Sequence, residues 1–262
     1  MPVQNLRDVL PASEAVCAGR YVWTGSARPY WDVPCIVNYF TKREIERMKI
    51  QTFVVGKLRT NCYLVYDENS LEASVVDPGG DYQKIKTFLD ENQLKLKNIF
   101  LTHGHFDHIL AVAQLREATG ARVVIHKADA GMLETADDNM YMSIMSEPFR
   151  RVKADILLSG GEKTKVGTVE AQFLHTPGHT PGSVCIFMDN VIFTGDTLFK
   201  NDIGRTDLEG GSDLDMKYSL RSLYDLEDDY ILYPGHYNST TLFAEKKNNP
   251  YLRDAGIRGY EL

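Results

Sequence analysis

The sequence predicts a mixed α/β fold in which two successive halves each run from a few strands into helices. Three observations carry that expectation. Short apolar runs of strand length recur at 52–55, 62–66, 74–76, 98–101, 122–125, 166–174, 184–188, 191–194 and 230–233. Between them, apolar residues fall at helical spacing over 82–91, about 107–120 and 212–226. Most of the strands end in Gly- or Pro-rich turns, and no strict sequence repeat relates the halves.

Residues 1–48 hold both tryptophans, Trp23 and Trp31, with Tyr21, Tyr30, Tyr39 and Phe40, broken by Pro29 and Pro34. So aromatic a segment is expected to pack on the main body or on a second subunit. It is an N-terminal extension offering a homo-oligomer contact, and 49–262 form the main domain. Thr41-Lys42-Arg43-Glu44 has the form of a capping box before a short helix reaching about Lys49. Strands dominate from Gln51, and the third ends in Asp77-Pro78-Gly79-Gly80, a strong turn signal. The helix over 82–91 turns Ile85, Phe88 and Leu89 inward, and the strand at 98–101 follows it. Past the strand at 122–125 lies a less regular stretch, 127–152, with Met132, Met140, Met142 and Met145. It reads as gap-filling packing of a helical pair, or as an adaptable pocket wall if it lies beside the site. Ser212 can cap a helix whose Met216, Leu220 and Leu223 face the core.

At 262 residues the chain can bury a sizeable core, and 43% hydrophobic with 25% charged residues is ordinary for a globular protein. A net charge of −7 disfavours nucleic acid as the main partner, because phosphate binding needs clustered Lys and Arg. The four cysteines, Cys17, Cys35, Cys62 and Cys185, form no C-x-x-C pair and read as reduced thiols. Neither an export signal nor a membrane-spanning run is visible, so a cytoplasmic protein without a membrane partner is expected.

The chemistry concentrates in Thr102-His103-Gly104-His105-Phe106-Asp107-His108, which follows the apolar Ile99-Phe100-Leu101. Such His/Asp clusters bind metal. On an extended segment the imidazoles of His103 and His105 point to one side, and Asp107-His108 opens a helix with Ile109, Val112 and Ala113 on one face. That helix stops at Gly120. Three later turns repeat the pattern of a His or Asp after a Gly at a strand end. They are His175-Thr176-Pro177-Gly178-His179, Thr194-Gly195-Asp196-Thr197 and Tyr233-Pro234-Gly235-His236. His126 and His175 lie outside the pattern and read as structural, hydrogen-bonding residues.

In this order the residues resemble the metallo-β-lactamase fold superfamily, whose H-x-H-x-D-H motif is followed by His, Asp and His. The phrases TGDTLF at 194–199, Ile203-Gly204-Arg205-Thr206-Asp207 and Glu245-Lys246-Lys247-Asn248-Asn249-Pro250 are similar to its glyoxalase II-like, or hydroxyacylglutathione hydrolase-like, branch. The resemblance implies a four-layer αββα sandwich and two divalent metal ions. It implies His103, His105 and His179 on one metal, Asp107, His108 and His236 on the other, and Asp196 between them. Nitrogen and carboxylate ligands without thiolate suit zinc and equally permit iron or manganese. Asp107 and Asp196 would also orient a metal-bridging hydroxide, and Arg205 would clamp a substrate carboxylate unless it pairs with Asp202 or Asp207. Because the chain ends soon after His236, the resemblance runs to the short members rather than to those whose long helical domain closes over glutathione.

A small acyl thioester, or a related ester, is the expected substrate. Two cations supply hydroxide where free water, with a pKa of about 15.7, does not. A leaving thiol with pKa of about 8.5 departs without a dedicated acid. The alternatives are a mononuclear iron enzyme of the persulfide dioxygenase kind, which shares the fold, and an acyl-homoserine lactonase. β-Lactam hydrolysis fits less well, since Asp196 stands where one large lactamase group has cysteine, and a non-enzymatic binding module fits least.

Overall fold

Strand β2 (Thr60–Asp67) is apolar on both faces because it separates two different interiors. Cys62 and Leu64 join one buried cluster, while Tyr63 and Val65 join another. A strand buried on both sides needs no polar face, which is why its centre, Cys62–Tyr66, runs continuously apolar rather than alternating. The computed structural model describes residues 48–135, 141 and 148–257.

The first sheet runs in the order β1 (Met48–Val55), β2, β3 (Glu72–Val76), β4 (Lys95–Phe100), β5 (Arg122–His126) and β6 (Ile156–Leu158). Its first three strands pair antiparallel and its last four parallel. The second sheet comprises β7 (Lys163–Val166), β8 (Val169–His175), β9 (Val184–Met188), β10 (Val191–Gly195), β13 (Ile231–Pro234) and β14 (Thr240–Thr241). A two-stranded ribbon, β11 (Leu198–Phe199) with β12 (Asp202–Ile203), lies between β10 and the next helix. Helices α1 (Tyr82–Glu91), α2 (Phe106–Ile109) and α3 (Val112–Thr119) belong to the first half. Helices α4 (Asp213–Tyr224), α5 (Leu242–Asn248) and α6 (Pro250–Ile257) belong to the second.

Three apolar clusters define the layers. Ile85, Leu89, Val112 and Leu115 of the helices cover Leu64, Val75, Ile99 and Ile125 of the first sheet. Between the sheets Tyr63, Val65, Phe100 and Val124 meet Phe173, Ile186, Met188 and Phe193, with Phe100 edge-on to Phe173 at 5.3 Å. Met216, Leu220, Leu223 and Leu252 cover Cys185, Phe187 and Ile192 on the outer face of the second sheet. The order is helix, sheet, sheet, helix, the expected αββα sandwich. No helix among the described residues is long and apolar enough to cross a membrane.

Several local expectations are corrected. Met48 and Lys49 begin β1 rather than ending a helix, while the aromatic extension and its capping box lie outside the described residues. The run 166–174 is a hairpin, with Val166 paired to Val169 across Gly167, whose φ is 57°. The helix after Asp107 breaks at Leu110-Ala111 into α2 and α3, and α3 ends at Gly120 with φ 72°. Of the methionine-rich stretch, Ala130–Leu133 forms a 3-10 helix, and Met140, Met142 and Met145 lie outside the described residues. Ser212 caps α4 as expected, its side chain accepting from the Asp215 amide.

Buried Asp67 joins the two sheets at one corner. Its Oδ1 accepts from the amides of Asn69 (2.8 Å) and Ser70 (3.2 Å). Its Oδ2 accepts from the amide (3.2 Å) and hydroxyl (2.9 Å) of Thr168 in the turn joining β7 to β8 of the second sheet. Burial alone would raise this carboxyl, but the four donors outweigh it and hold it below its ordinary value. Its contribution is therefore present above the unfolded carboxyl pKa and is lost as pH falls through the lower folded value. Asp67→Ala is expected to cost about 1–3 kcal/mol in urea unfolding at pH 7, with the difference shrinking in acid. Equal stability at pH 7 would contradict this role.

Candidate metal centre

The expected ligands all stand at or just beyond strand ends on one edge of the sandwich. His103 and His105 follow β4, Asp107 and His108 form the first turn of α2, His179 follows β8, Asp196 follows β10, and His236 follows β13. The edge is closed by bonds between the two halves. The Asn61 amide donates to the Gly235 carbonyl (2.7 Å) and the Val184 amide to the Thr102 carbonyl (2.8 Å). Tyr63 Oη donates to the Pro234 carbonyl at 2.6 Å.

All seven side chains meet. His103, His105 and His179 place one nitrogen each within 4.8 Å of one another, and Asp107, His108 and His236 form a second such group. Asp196 lies between the groups. Its Oδ1 is 3.5 Å from His108 Nε2, and its Oδ2 is 3.5 Å from His179 Nε2 and 3.6 Å from His236 Nε2. Asp107 Oδ2 is 3.2 Å from His236 Nε2 and 3.5 Å from His108 Nε2.

For three of the histidines the ring orientation follows from a hydrogen bond on the far side of the imidazole. His179 Nδ1 lies 2.8 Å from the Arg205 carbonyl, which can only accept, so Nδ1 carries the proton and Nε2 faces inward. Thr102 gives its hydroxyl proton to Asp77 Oδ2 (2.6 Å), so it accepts from His103 Nδ1 at 3.1 Å. His108 Nδ1 donates to Asp77 Oδ2 at 3.0 Å. His105 is reversed, with Nδ1 inward and 2.9 Å from His179 Nε2. The inward atoms His103 Nε2, His108 Nε2 and Asp196 Oδ1 are buried with no hydrogen-bond partner. Buried polar atoms without partners, converging from several elements, are costly unless a cation is held among them, so the residues fit a metal.

The electrostatics divide the histidines. Burial, reinforced by the neighbouring histidines, pushes His103 well below its ordinary value. The same causes push His105 down to about 3, so both rings are neutral donors. Burial would lower His108 too, but Asp107, Asp196 and Asp77 outweigh it and raise it to about 10. Three carboxylates round one buried ring make a strong cation site, which a proton occupies when nothing else does. Asp107 is held below the usual carboxylate range, because His108 and the bonds from His236 and Thr60 overcome the cost of burial.

Several positioning residues escaped the sequence reading. Asp77 reads there as part of a turn, yet it anchors both Thr102 and His108. Although Asp77, His103 and His108 also group closely, Asp77 binds the outward nitrogen of His108 and so stands behind the ligands. Thr60 donates to Asp107 Oδ2 at 2.8 Å across 47 residues of sequence, a separation that no local pattern reveals. Two glycines press on the carboxylate ligands. A Cβ on Gly79 would fall 1.6 Å from the Asp107 carbonyl oxygen, and one on Gly204 would fall 1.7 Å from that of Asp196.

Arg205 lies at the exposed rim, its guanidinium forked on Asp207 at 2.7 and 2.8 Å. Of the two readings the sequence allowed, the ion pair is the one formed, while the Arg205 backbone orients His179. His126 and His175 stay outside the centre, stacked at 4.0 Å with planes 14° apart. Met132 packs on Gly104, between two ligands. Tyr237, next to His236, is 70% exposed, with its ring centroid 6.3 Å from that of His236.

The sequence model of the Metallo-beta-lactamase superfamily matches residues 55–236. The hydroxyacylglutathione hydrolase GloC of Haemophilus influenzae is 34% identical over 215 residues, covering 78% of this chain and 98% of GloC. The crystal structure of BLEG-1, a B3 metallo-beta-lactamase, superposes with TM-score 0.74 at 36% identity, covering 78% of this chain and 99% of that one. TTHA1623, crystallised in a di-iron-bound form, superposes with TM-score 0.69 at 33% identity, covering 77% of this chain and 99% of that one.

Proposed function

Because the chain belongs to the metallo-beta-lactamase superfamily and carries His/Asp clusters of metal-binding type, we propose that it is a dinuclear, glyoxalase II-like thioester hydrolase. One observation carries the reading: two separate ligand groups share Asp196, each supplied with inward lone pairs. A persulfide dioxygenase would keep the same residues while binding a single iron, so the number of metals bound separates the two readings.

His103, His105 and His179 would hold one cation, Asp107, His108 and His236 the other, and Asp196 both. When bound, two divalent cations supply hydroxide at neutral pH and stabilise the oxyanion of the attacked carbonyl. Zinc suits the donor set, and the di-iron form of TTHA1623 makes iron the alternative. The carboxylates of Asp107 and Asp196 accept hydrogen bonds from the attacking water and so fix its direction. Thr60 Oγ1, donating to Asp107 Oδ2, keeps that carboxylate from turning away. Neither cysteine among the described residues supplies a thiolate, since burial pushes the Cys185 thiol up to about 11 and raises Cys62 as well. The leaving thiol, near pKa 8.5, departs as thiolate unaided.

A glutathione thioester is the first substrate to try. GloC is matched over nearly its whole length, so the relative with that name extends little beyond the aligned region. Arg205 would reach a substrate carboxylate by exchanging Asp207, a small cost for an exposed pair. The test loads the chain with zinc or iron, measures metal content, and assays S-lactoylglutathione, an acyl-homoserine lactone, glutathione persulfide with oxygen, and a chromogenic β-lactam. Two metals per chain with thioester turnover is the expected result, and Arg205→Ala should raise KM for the glutathione thioester alone. An inert thioester beside turnover of any other substrate, or one iron with oxygen uptake, would overturn the reading.

A further inference from the structure

Asp129, fully buried at the entrance to the 3-10 helix, belongs to no ligand group, yet its carboxylate touches the backbone around one of them. Oδ2 accepts from the Gly104 amide at 3.1 Å and from Thr180 Oγ1 at 2.6 Å. Oδ1 accepts from the Gly182 amide at 2.6 Å. Gly104 lies between His103 and His105, and Thr180 follows His179, so a neighbour of each ligand in the first group is tied to this carboxylate. The ties are tight. A Cβ on Gly182 would fall 2.5 Å from Asp129 Cγ, and Thr180, its proton given to Asp129, is placed to accept from Ser183 Oγ at 2.7 Å. Asp129 is itself fixed, its amide donating to the His126 carbonyl and its carbonyl accepting from Met132, both at 3.0 Å. The second group is held differently, Asp107 by Thr60 and His108 by Asp77.

We propose that Asp129 is a positioning residue that sets the metal affinity of the His103–His105–His179 group without setting that of the Asp107–His108–His236 group. The proposal rests on the two-metal reading above. Three ligands on two loops can converge on one cation only if the loops keep a fixed separation, and the carboxylate spans them with three charge-assisted bonds. None of these bonds is made by Asp107, His108 or His236 or by a residue adjacent to them, so the two affinities can move apart.

The test titrates the chelated full-length chain with cobalt(II) alone, following the visible bands and bound stoichiometry, and records the melting of the metal-free protein. Wild type should show two binding steps. In Asp129→Ala one step should weaken by about 10–100-fold, the usual effect of losing an outer partner of a metal ligand, while the other stays within about twofold. Asp129→Asn, which keeps an acceptor for one loop, should weaken the same step less, and Thr180→Val less again. In a His236→Ala background the surviving step should be the one that responds. Equal weakening of both steps, or lower melting with binding unchanged, would assign Asp129 a purely structural role and overturn the proposal. If Asp129→Ala fails to fold, Thr180→Val and Asp129→Asn decide on the same criteria. A wild type that binds two metals beside unresponsive variants removes this inference alone, whereas one that binds none removes the two-metal reading as well.

Discussion

Asp196→Asn is expected to lower kcat/KM by more than about 100-fold, the upper end of what loss of an outer metal partner costs, and to leave fewer than two metals bound. The size follows from where the two oxygens point. Oδ1 is buried without a partner beside His108, and Oδ2 faces His179 and His236. An amide keeps the shape but removes the charge lying between two dications. Its NH2 would also donate to an inward imidazole lone pair and compete with the cation. Circular dichroism should show the fold intact, because the carboxylate makes no bond to the backbone that the amide would break. Two metals retained with activity within about tenfold of wild type would remove Asp196 from the shared position.

The second large effect concerns His108. Without metal its ring is protonated up to about pH 10, since Asp107, Asp196 and Asp77 outweigh burial. A folded value raised above the ordinary 6.5 contributes stability that is complete below pH 6.5 and disappears as pH rises through 10. The metal-free protein should therefore lose stability between pH 7 and 10, as read from urea midpoints. A metal must displace that proton, so calorimetry in buffers of different ionisation enthalpy should find about one proton released per chain near pH 8. Affinity at that group should fall about tenfold for each pH unit lowered over this window. Asp77→Asn weakens both holds on the ring, and the expected loss of metal affinity is about 10–100-fold. No proton release, with affinity flat from pH 7 to 9, would show that the His108 ring is already neutral in the metal-free protein.

The candidate ligands were legible because four crowd into 103–108 just past an apolar strand and the other three each follow a glycine at or near the end of one, patterns read within a few positions. The residues that orient them were not. Thr60 meets Asp107 across 47 residues and Thr180 meets Asp129 across 51, and neither sequence neighbourhood announces the partner. Asp77 was visible only as a turn former, and its second task depends on β3 lying beside β4. In the fold, the longer strands and helices α1 and α4 were read well and α5 and α6 were not anticipated, and the three-residue β6 and the tight turn at Gly167 were lost. Both are too short for periodicity to mark them, and pairing across the sheet defines them instead. For Arg205 the sequence offered a substrate clamp or an ion pair with Asp202 or Asp207, and a guanidinium among acidic neighbours suits either.

Gly79 and Gly204 divide the surroundings of the centre into ground where mutation is closed and ground where it is open. Each lies against the carbonyl of a carboxylate ligand, with no room for even a methyl group. A library randomising 77–81 and 203–207 should return glycine at these two positions in every active clone. Changes of substrate preference would then accumulate at the exposed rim, at Tyr237 and along Arg205 and Asp207, where no ligand backbone is in the way. Selection on this scaffold could thus rewrite what enters the cleft while the backbone that aims the two aspartates stays fixed.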